Sequence, residues 1–319
     1  MKNKYKLTSE QFNRNLKMAE LAIFMKGKSV EEGKQPYSVY IVAQPGAGKT
    51  GLRAFVESNF QEERAKYPFI EFNPDEVAIY HEYYREILRD FPLESYKMLQ
   101  EFVSPALDNY LKPKAIKLRN NIIQEGTLAN TQAYIDILRF QKNGGTAQIG
   151  ELRKDGRRKL ETVNGGYYID INLLAVHRYE SLLSSYEREQ YFREAGLPPR
   201  AVTAENHDRA YTKILDTIEI IEQEHLYDRI RIYMRGENEH LPKLIFDSNE
   251  DSREKSIRQL IIDARKQNEI ELLKNRKEFL RRIKDLNERA IQSGIPEQVR
   301  KIEVLKNEFL NELEQSYEK

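Results

Sequence analysis

Two closely spaced glycines followed by lysine and threonine, at a turn from strand to helix, can hold a polyphosphate, and residues 43–50 carry that arrangement. The run Tyr37–Val42 is β-branched and aromatic and predicts a buried strand; Ala43–Gly48 predicts a tight turn, and Lys49 the first turn of a helix. The spacing Ala43-x4-Gly48-Lys49-Thr50 matches the Walker A pattern, with alanine at the first glycine position. Gly46 and Gly48 let the backbone wrap an anion, and the amides at the helix start point toward it. Lys49 adds a point charge for the β- and γ-phosphates, and Thr50 a hydroxyl ligand for Mg²⁺. Gln44, Pro45, Gly46, Ala47, Gly48, Lys49, Thr50 and Gly51 are therefore expected around the nucleotide. A strand-turn-helix that is merely glycine-rich is the bland alternative.

A second set of residues follows from the strand-end rule, by which ligands of parallel sheets sit beyond the carboxyl ends of strands. Tyr67–Phe72 predicts a strand running into Asn73-Pro74-Asp75-Glu76, so Asp75 would face the phosphate loop. Its carboxylate could accept the proton of a hydroxyl attacking the γ-phosphate, or it could only cap the helix beginning near Val77. Asn120–Thr127 predicts a short strand leaving through Glu125-Gly126-Thr127, where Glu125 and Thr127 either contact substrate or only form the turn. Arg188 on the helix 178–192 and Arg200 in the loop after it are the kind of pair that roofs a γ-phosphate.

The rest of the chain supplies the frame. At 319 residues it has room for one large α/β domain or a core with an appendage. The balance of 52 Lys+Arg against 51 Asp+Glu leaves no global field to recruit nucleic acid or an anionic membrane, and the absence of cysteine excludes disulfides, thiolate metal sites and cysteine nucleophiles. No run approaches the roughly 18 apolar residues of a membrane span, and Met1–Lys6 lacks the apolar stretch of a secretory signal, so a cytoplasmic protein is expected.

Thr8-Ser-Glu-Gln11 predicts a capping box opening a helix that ends near Gly27; its apolar face packs on the sheet or offers a surface to an inhibitor. Residues 79–118 are helical by pattern, with Ser104-Pro105 expected as an N-cap and first helical proline. Two alternating runs around Asp155-Gly156 predict an inserted hairpin at about 146–163, whose basic tip (Arg153, Lys154, Arg157, Arg158, Lys159) is a solvated turn or reaches a phosphate-bearing ligand. Arg229–Met234 and Lys243–Phe246 close the sheet as a second hairpin. From Asp251 onward, two or three amphipathic helices predict a C-terminal extension over 251–319, distinct from a kinase-like domain over 1–250; it folds back on the core, offers a partner surface or acts as an internal regulator.

The order of these motifs resembles the zeta toxins of bacterial epsilon/zeta toxin–antitoxin systems over about residues 8–247. Gln44-Pro-Gly-Ala-Gly-Lys-Thr50 is similar to their Gln-Pro-Gly-Ser-Gly-Lys-Thr loop; Asp75, with His81 six residues on, falls on their Asp-x-Phe-Arg/Lys-x-x-His segment; Glu125-Gly-Thr127 matches their Glu-Gly-Thr. Ala175–Arg188 is similar in spacing to their strand exit and Glu-Arg helix, and Pro199-Arg200-Ala201 lies close to their Ala-Arg-Ala-Thr. The resemblance implies a phosphate-loop kinase fold, a parallel sheet flanked by helices, that phosphorylates UDP-N-acetylglucosamine with ATP (GTP being the alternative donor) and Mg²⁺. It further implies a toxin held by a small helical antitoxin. Carried over by position, Lys49 and Thr50 hold phosphates and metal, Asp75 is the base, Glu125, Thr127 and His81 line the acceptor site, and Arg188 and Arg200 meet the γ-phosphate. Three positions depart: Ala78 stands where the family has a basic residue, Leu128 where Glu-Gly-Thr is followed by glycine, and Ala129 where the family has arginine. Losing two cations opens the acceptor to another nucleotide-like metabolite. An NTP-hydrolysing switch is the reading from a different class.

Overall fold

A central strand buried on both faces decides the architecture. The computed structural model describes residues 2–25, 27–91, 94–153, 156–197, 199, 201–236, 241–252 and 254–317, the side chains of 2, 3 and 315–317 excepted. Among these, eight strands form: β1 (Tyr37–Val42), β2 (Ile70–Phe72), β3 (Ile122–Gly126), β4 (Gly145–Leu152), β5 (Arg158–Val163), β6 (Tyr168–Leu174), β7 (Arg229–Arg235) and β8 (Pro242–Asp247). Six make one sheet in the order β2-β3-β1-β6-β7-β8, and β4 and β5 make a separate antiparallel hairpin. All neighbours in the large sheet are parallel except β8, which runs antiparallel to β7 at the edge. Helices must therefore cover both faces. Successive side chains of β1 point to opposite faces. Val39 and Ile41 pack with Leu52 and Val56 of the helix Lys49–Ser58, while Tyr40 and Val42 belong to the larger core on the other side.

Register sets the functional edge. Val42 is level with Gly126 on β3 and with Leu173 on β6, and Phe72 on β2 is level with Gln124. Four chain exits, after residues 42, 72, 126 and 174, are thus brought to one end of the sheet. At the other end of β6 and β7 a buried Arg231–Asp170 pair at 2.5 Å staples the two strands; burial pushes the Asp170 carboxyl upward and Arg231 opposes that shift.

The expected hairpin forms, although Lys154 and Asp155 of its tip lie outside the described residues. It packs against the helical run 95–117: Lys117 donates to the Thr162 carbonyl at 2.9 Å, and Arg158 is no solvated tip residue but lies over the Tyr110 ring. The capping box at Thr8 and Gln11 also forms, and its helix stops at Phe24.

Pro105 corrects the sequence reading. It does not start a helix; the helix Ser95–Pro105 continues through a π-helical segment, Ala106–Leu111, into Lys112–Lys117. Proline lacks an amide donor and crowds the carbonyl four residues back. The wider π turn between Pro105 and Pro113 absorbs that disruption without ending the run.

Among the described residues the C-terminal segment forms three helices, Ile257–Lys274, Arg276–Gln292 and Pro296–Tyr317. Ile257, Ile261 and Ala264 of the first belong to the buried core that includes the sheet residues Ile230 and Ile232. The other two make a helical hairpin whose Phe279, Ile283 and Phe309 bury Tyr179, Leu182 and Tyr186 of the helix Arg178–Glu194. Among the described residues no helix is long and apolar enough to cross a membrane. Ile261→Ala is expected to lower stability by about 2–5 kcal/mol in urea unfolding followed by circular dichroism, because its side chain is fully enclosed.

Candidate active site

The turn after β1 wraps as a phosphate loop. Gly46 (φ 74°) and Gly48 (φ 102°) adopt the left-handed backbone that disfavours a side chain. Ala43, at the first Walker A position, is absent from the residues with positive φ; its amide donates to the Gly126 carbonyl at 3.2 Å, so alanine is accommodated there. Gly48 is the N-cap of the helix Lys49–Ser58 and no side chain caps that helix start, which leaves its amides directed at the loop interior. Thr50 is exposed in the first turn.

Lys49 lies across the loop, its Nζ donating to the carbonyls of Ala43 at 3.0 Å and Gln44 at 3.3 Å. Burial holds its ammonium down to about 8; the Glu125 carboxylate works against that shift and Arg188 adds to it. Those influences bring Lys49, Glu125 and Arg188 within electrostatic reach of one another. Arg188 is exposed on the helix Arg178–Glu194, whereas Arg200 lies outside the described residues.

Gln44 is turned inward. Fully buried, its amide nitrogen donates to the Val176 carbonyl at 2.8 Å and to the Ser181 hydroxyl at 3.1 Å, so its side chain braces the loop against the exit of β6. That brace continues inward, with Ser181 Oγ 2.8 Å from His207 Nε2 and His207 Nδ1 3.0 Å from Asp208. The Ser181–His207–Asp208 series has the order of a hydrolase triad, yet Ser181 and His207 are fully buried and no substrate can reach the hydroxyl.

Asp75 follows β2. Asn73, not Asp75, is the N-cap of the short helix Pro74–Ala78, its Oδ1 accepting from the Asp75 amide at 3.0 Å. Tyr96, exposed at the start of the helix Ser95–Pro105, lies within electrostatic reach of Asp75: desolvation and then that carboxylate raise its phenol above the ordinary value. His81 has a different setting from the one its motif suggests. It is 4% exposed, its ring is 5.8 Å from Phe102, and its Nδ1 accepts from the Tyr83 amide at 3.1 Å. Burial lowers its pKa and keeps it neutral. That is a packing residue beneath the Asp75 segment, not a group at the site surface.

Glu125 pairs with Arg53 at 3.4 Å, and Arg53 also meets Glu57 and Glu71. Partial burial alone would lower the Arg53 pKa; the Glu71 and Glu57 carboxylates more than reverse it. Thr127 Oγ1 accepts from the Ala129 amide at 3.4 Å and so shapes its own turn. Within that turn Leu128 is left-handed (φ 50°) and buried, at the position where the zeta toxin motif carries glycine. Gly126 is held to glycine by packing, since an added Cβ would lie 2.0 Å from the Tyr134 hydroxyl.

Two residues that sequence reasoning missed complete the site. Arg53 sits one turn into the loop helix. Arg235, the last residue of β7, donates to the carbonyls of Gly46 at 2.6 Å and Ala47 at 3.1 Å, gripping the phosphate loop from behind. The strand-end rule applied to β7 would have found Arg235; nothing in the local sequence marks Arg53.

A parallel sheet, a lysine-bearing loop at its carboxyl edge and a carboxylate on a neighbouring strand exit define a phosphate-loop kinase fold. The zeta toxin family model matches residues 22–152 and 151–251. The chain belongs to the zeta toxin family. Toxin PezT of Streptococcus pneumoniae is 25% identical over 223 residues, covering 70% of this chain and 76% of PezT. A structure from the PezAT chromosomal toxin–antitoxin system of the same organism superposes with a TM-score of 0.63 at 20% identity, covering 88% of this chain and 98% of that one.

Gly46→Ala is expected to abolish ATP binding in calorimetric titration, because its Cβ would sit 1.9 Å from the Ser181 carbonyl oxygen and displace the loop. The Lys49 shift has a sign that titration can check. Phosphate binds the charged ammonium, which in the ligand-free chain is lost as pH rises through about 8, so ATP affinity should be flat below that pH and fall above it.

Proposed function

We propose that this chain transfers the γ-phosphate of ATP to a hydroxyl of a UDP-amino sugar, UDP-N-acetylglucosamine by family resemblance, and acts as the toxin of a toxin–antitoxin pair. The observation that carries the reading is the shared sheet edge: the Lys49 loop, the Asp75 segment and the Glu125 exit leave adjacent parallel strands side by side, with Asn73 rather than Asp75 doing the capping. A triphosphate in the loop meets the amides at the start of the Lys49 helix and the Lys49 ammonium, which gives up its two carbonyl contacts to reach it.

In the transfer, the acceptor hydroxyl oxygen forms a bond to the γ-phosphorus as the bond to the β–γ bridging oxygen breaks and ADP leaves. The hydroxyl proton passes to Asp75. Arg188 and Arg200 meet the charge on the transferred phosphoryl oxygens. Thr50 fits a Mg²⁺ site, since its hydroxyl is exposed at the uncapped helix start; Mg²⁺ held by that residue would supply charge neutralisation for the phosphates. Among the described residues no cluster of His, Asp or Glu offers a competing metal cage. Glu125, held in place by Arg53, and Thr127 border the acceptor.

A second reading, another nucleotide-like acceptor, is favoured by Ala78 and Ala129, where two family cations are missing. An antitoxin partner is supported by the PezAT neighbour, which comes from a toxin–antitoxin system. Incubating the chain with ATP and a metabolite pool, read by mass spectrometry, should yield one phosphorylated UDP-sugar; ATP hydrolysis independent of any acceptor would instead favour a switch. Asp75→Asn should lower kcat by about 10²–10⁴-fold while leaving ATP affinity intact. Near-normal transfer by that variant would exclude Asp75 as the base.

A further inference from the structure

The residues after 251 lie beyond the family match, yet they reach the phosphate loop through a short series of ion pairs. Arg282, on the helix Arg276–Gln292, donates from Nη1 to Glu180 Oε1 at 3.2 Å and from Nε and Nη2 to Glu187 at 2.9 and 2.7 Å. Glu180 offers its other oxygen to Arg235 Nη1 at 2.8 Å, and Arg235 holds the Gly46 and Ala47 carbonyls. The Ser184 hydroxyl accepts from both arginines, at 3.3 Å from Arg235 and 3.4 Å from Arg282. One carboxylate and one hydroxyl on the helix Arg178–Glu194 are thus shared between a C-terminal arginine and the arginine that grips the loop. All four charged side chains are part-buried, where an ion-pair network keeps more of its strength than isolated pairs at an open surface.

The same helix is held on two sides. Its Ser181 carbonyl presses on Gly46, and its Tyr179, Leu182 and Tyr186 are buried by the C-terminal hairpin, with Phe309 against Tyr179 at 5.6 Å. Further along, Arg289 pairs with Glu194. The helix that carries Arg188 is therefore clasped between the nucleotide loop and the C-terminal hairpin.

We propose that the C-terminal helical hairpin is a positioning element of the nucleotide site, and that Arg282, acting through Glu180 and Arg235, holds the phosphate loop in its binding shape. Arg282 touches no nucleotide; it acts through the shared carboxylate. The inference rests on the phosphate-loop reading above and extends it to residues outside the family match.

The test uses the full-length chain and ATP itself, with affinity measured by calorimetry well below the melting temperature. Arg282→Ala should weaken ATP binding by roughly fivefold or more, Arg282→Lys should recover part of the loss, and Arg282 and Glu180 variants combined should be less than additive. Arg281→Ala is the control: it removes ion pairs to Glu278 and Asp285 on the same helix and should bind ATP as the wild type does. Arg282→Gln keeps the length and polar tip of the side chain and serves if the alanine variant does not fold. A wild-type chain that fails to bind ATP overturns the nucleotide reading and this one with it. A wild-type chain that binds ATP, with the folded Arg282 variants binding it equally well or no more weakly than Arg281→Ala, overturns the relay alone.

Discussion

Gly46 is wedged between a helix and the place where phosphate would lie. Its α-carbon faces the Ser181 carbonyl so closely that a methyl group there would overlap it, and its left-handed backbone turns the chain back toward Lys49. Because that approach leaves no slack, the shape of the loop depends on where the helix Arg178–Glu194 sits. That helix is in turn fixed by Gln44 from the loop, by Arg235 from the sheet and by apolar burial from the C-terminal hairpin. The phosphate loop behaves less as a self-contained turn than as one wall of a packed joint, and such joints transmit displacement because protein interiors have little free volume.

What depends on local pattern is legible in the order of the residues. Alternation and β-branching marked the strands, glycine spacing marked the loop, and Asp155-Gly156 marked the hairpin whose strands form as expected. What was not legible was set by tertiary contact. His81 matched a motif but is buried against Phe102, and no spacing rule distinguishes those settings. Pro105 carried a helix-start signal that a π segment overrode. Gln44 lies within the phosphate-loop pattern, yet its side chain is consumed by Val176 and Ser181. Arg235 stayed hidden among the many arginines until the sheet brought its strand end behind Gly46 and Ala47.

The turn after β3 shows how surroundings can hold an unfavourable backbone. Leu128 stands at the position of a motif glycine and adopts the left-handed conformation, a costly choice for a branched side chain that persists only when surroundings enforce it. Here the enforcement is visible: the Leu128 side chain is buried and its carbonyl accepts from Thr217 at 2.8 Å. The turn that follows Glu125 and Thr127 is therefore held by its own burial and by the Thr217 hydroxyl.

The π segment at Ala106–Leu111 carries a consequence for how this chain can vary. Each such segment holds one residue more than an α-helix spanning the same rise, the mark of a single-residue insertion tolerated mid-helix. Removing one residue from that stretch would return it to α geometry and swing the upstream half, with Tyr96, by about 100° relative to Lys112–Lys117. The ring that now stands near Asp75 would then point elsewhere. The number of residues between Pro105 and Lys112 thus sets which way the upstream half of this helix faces.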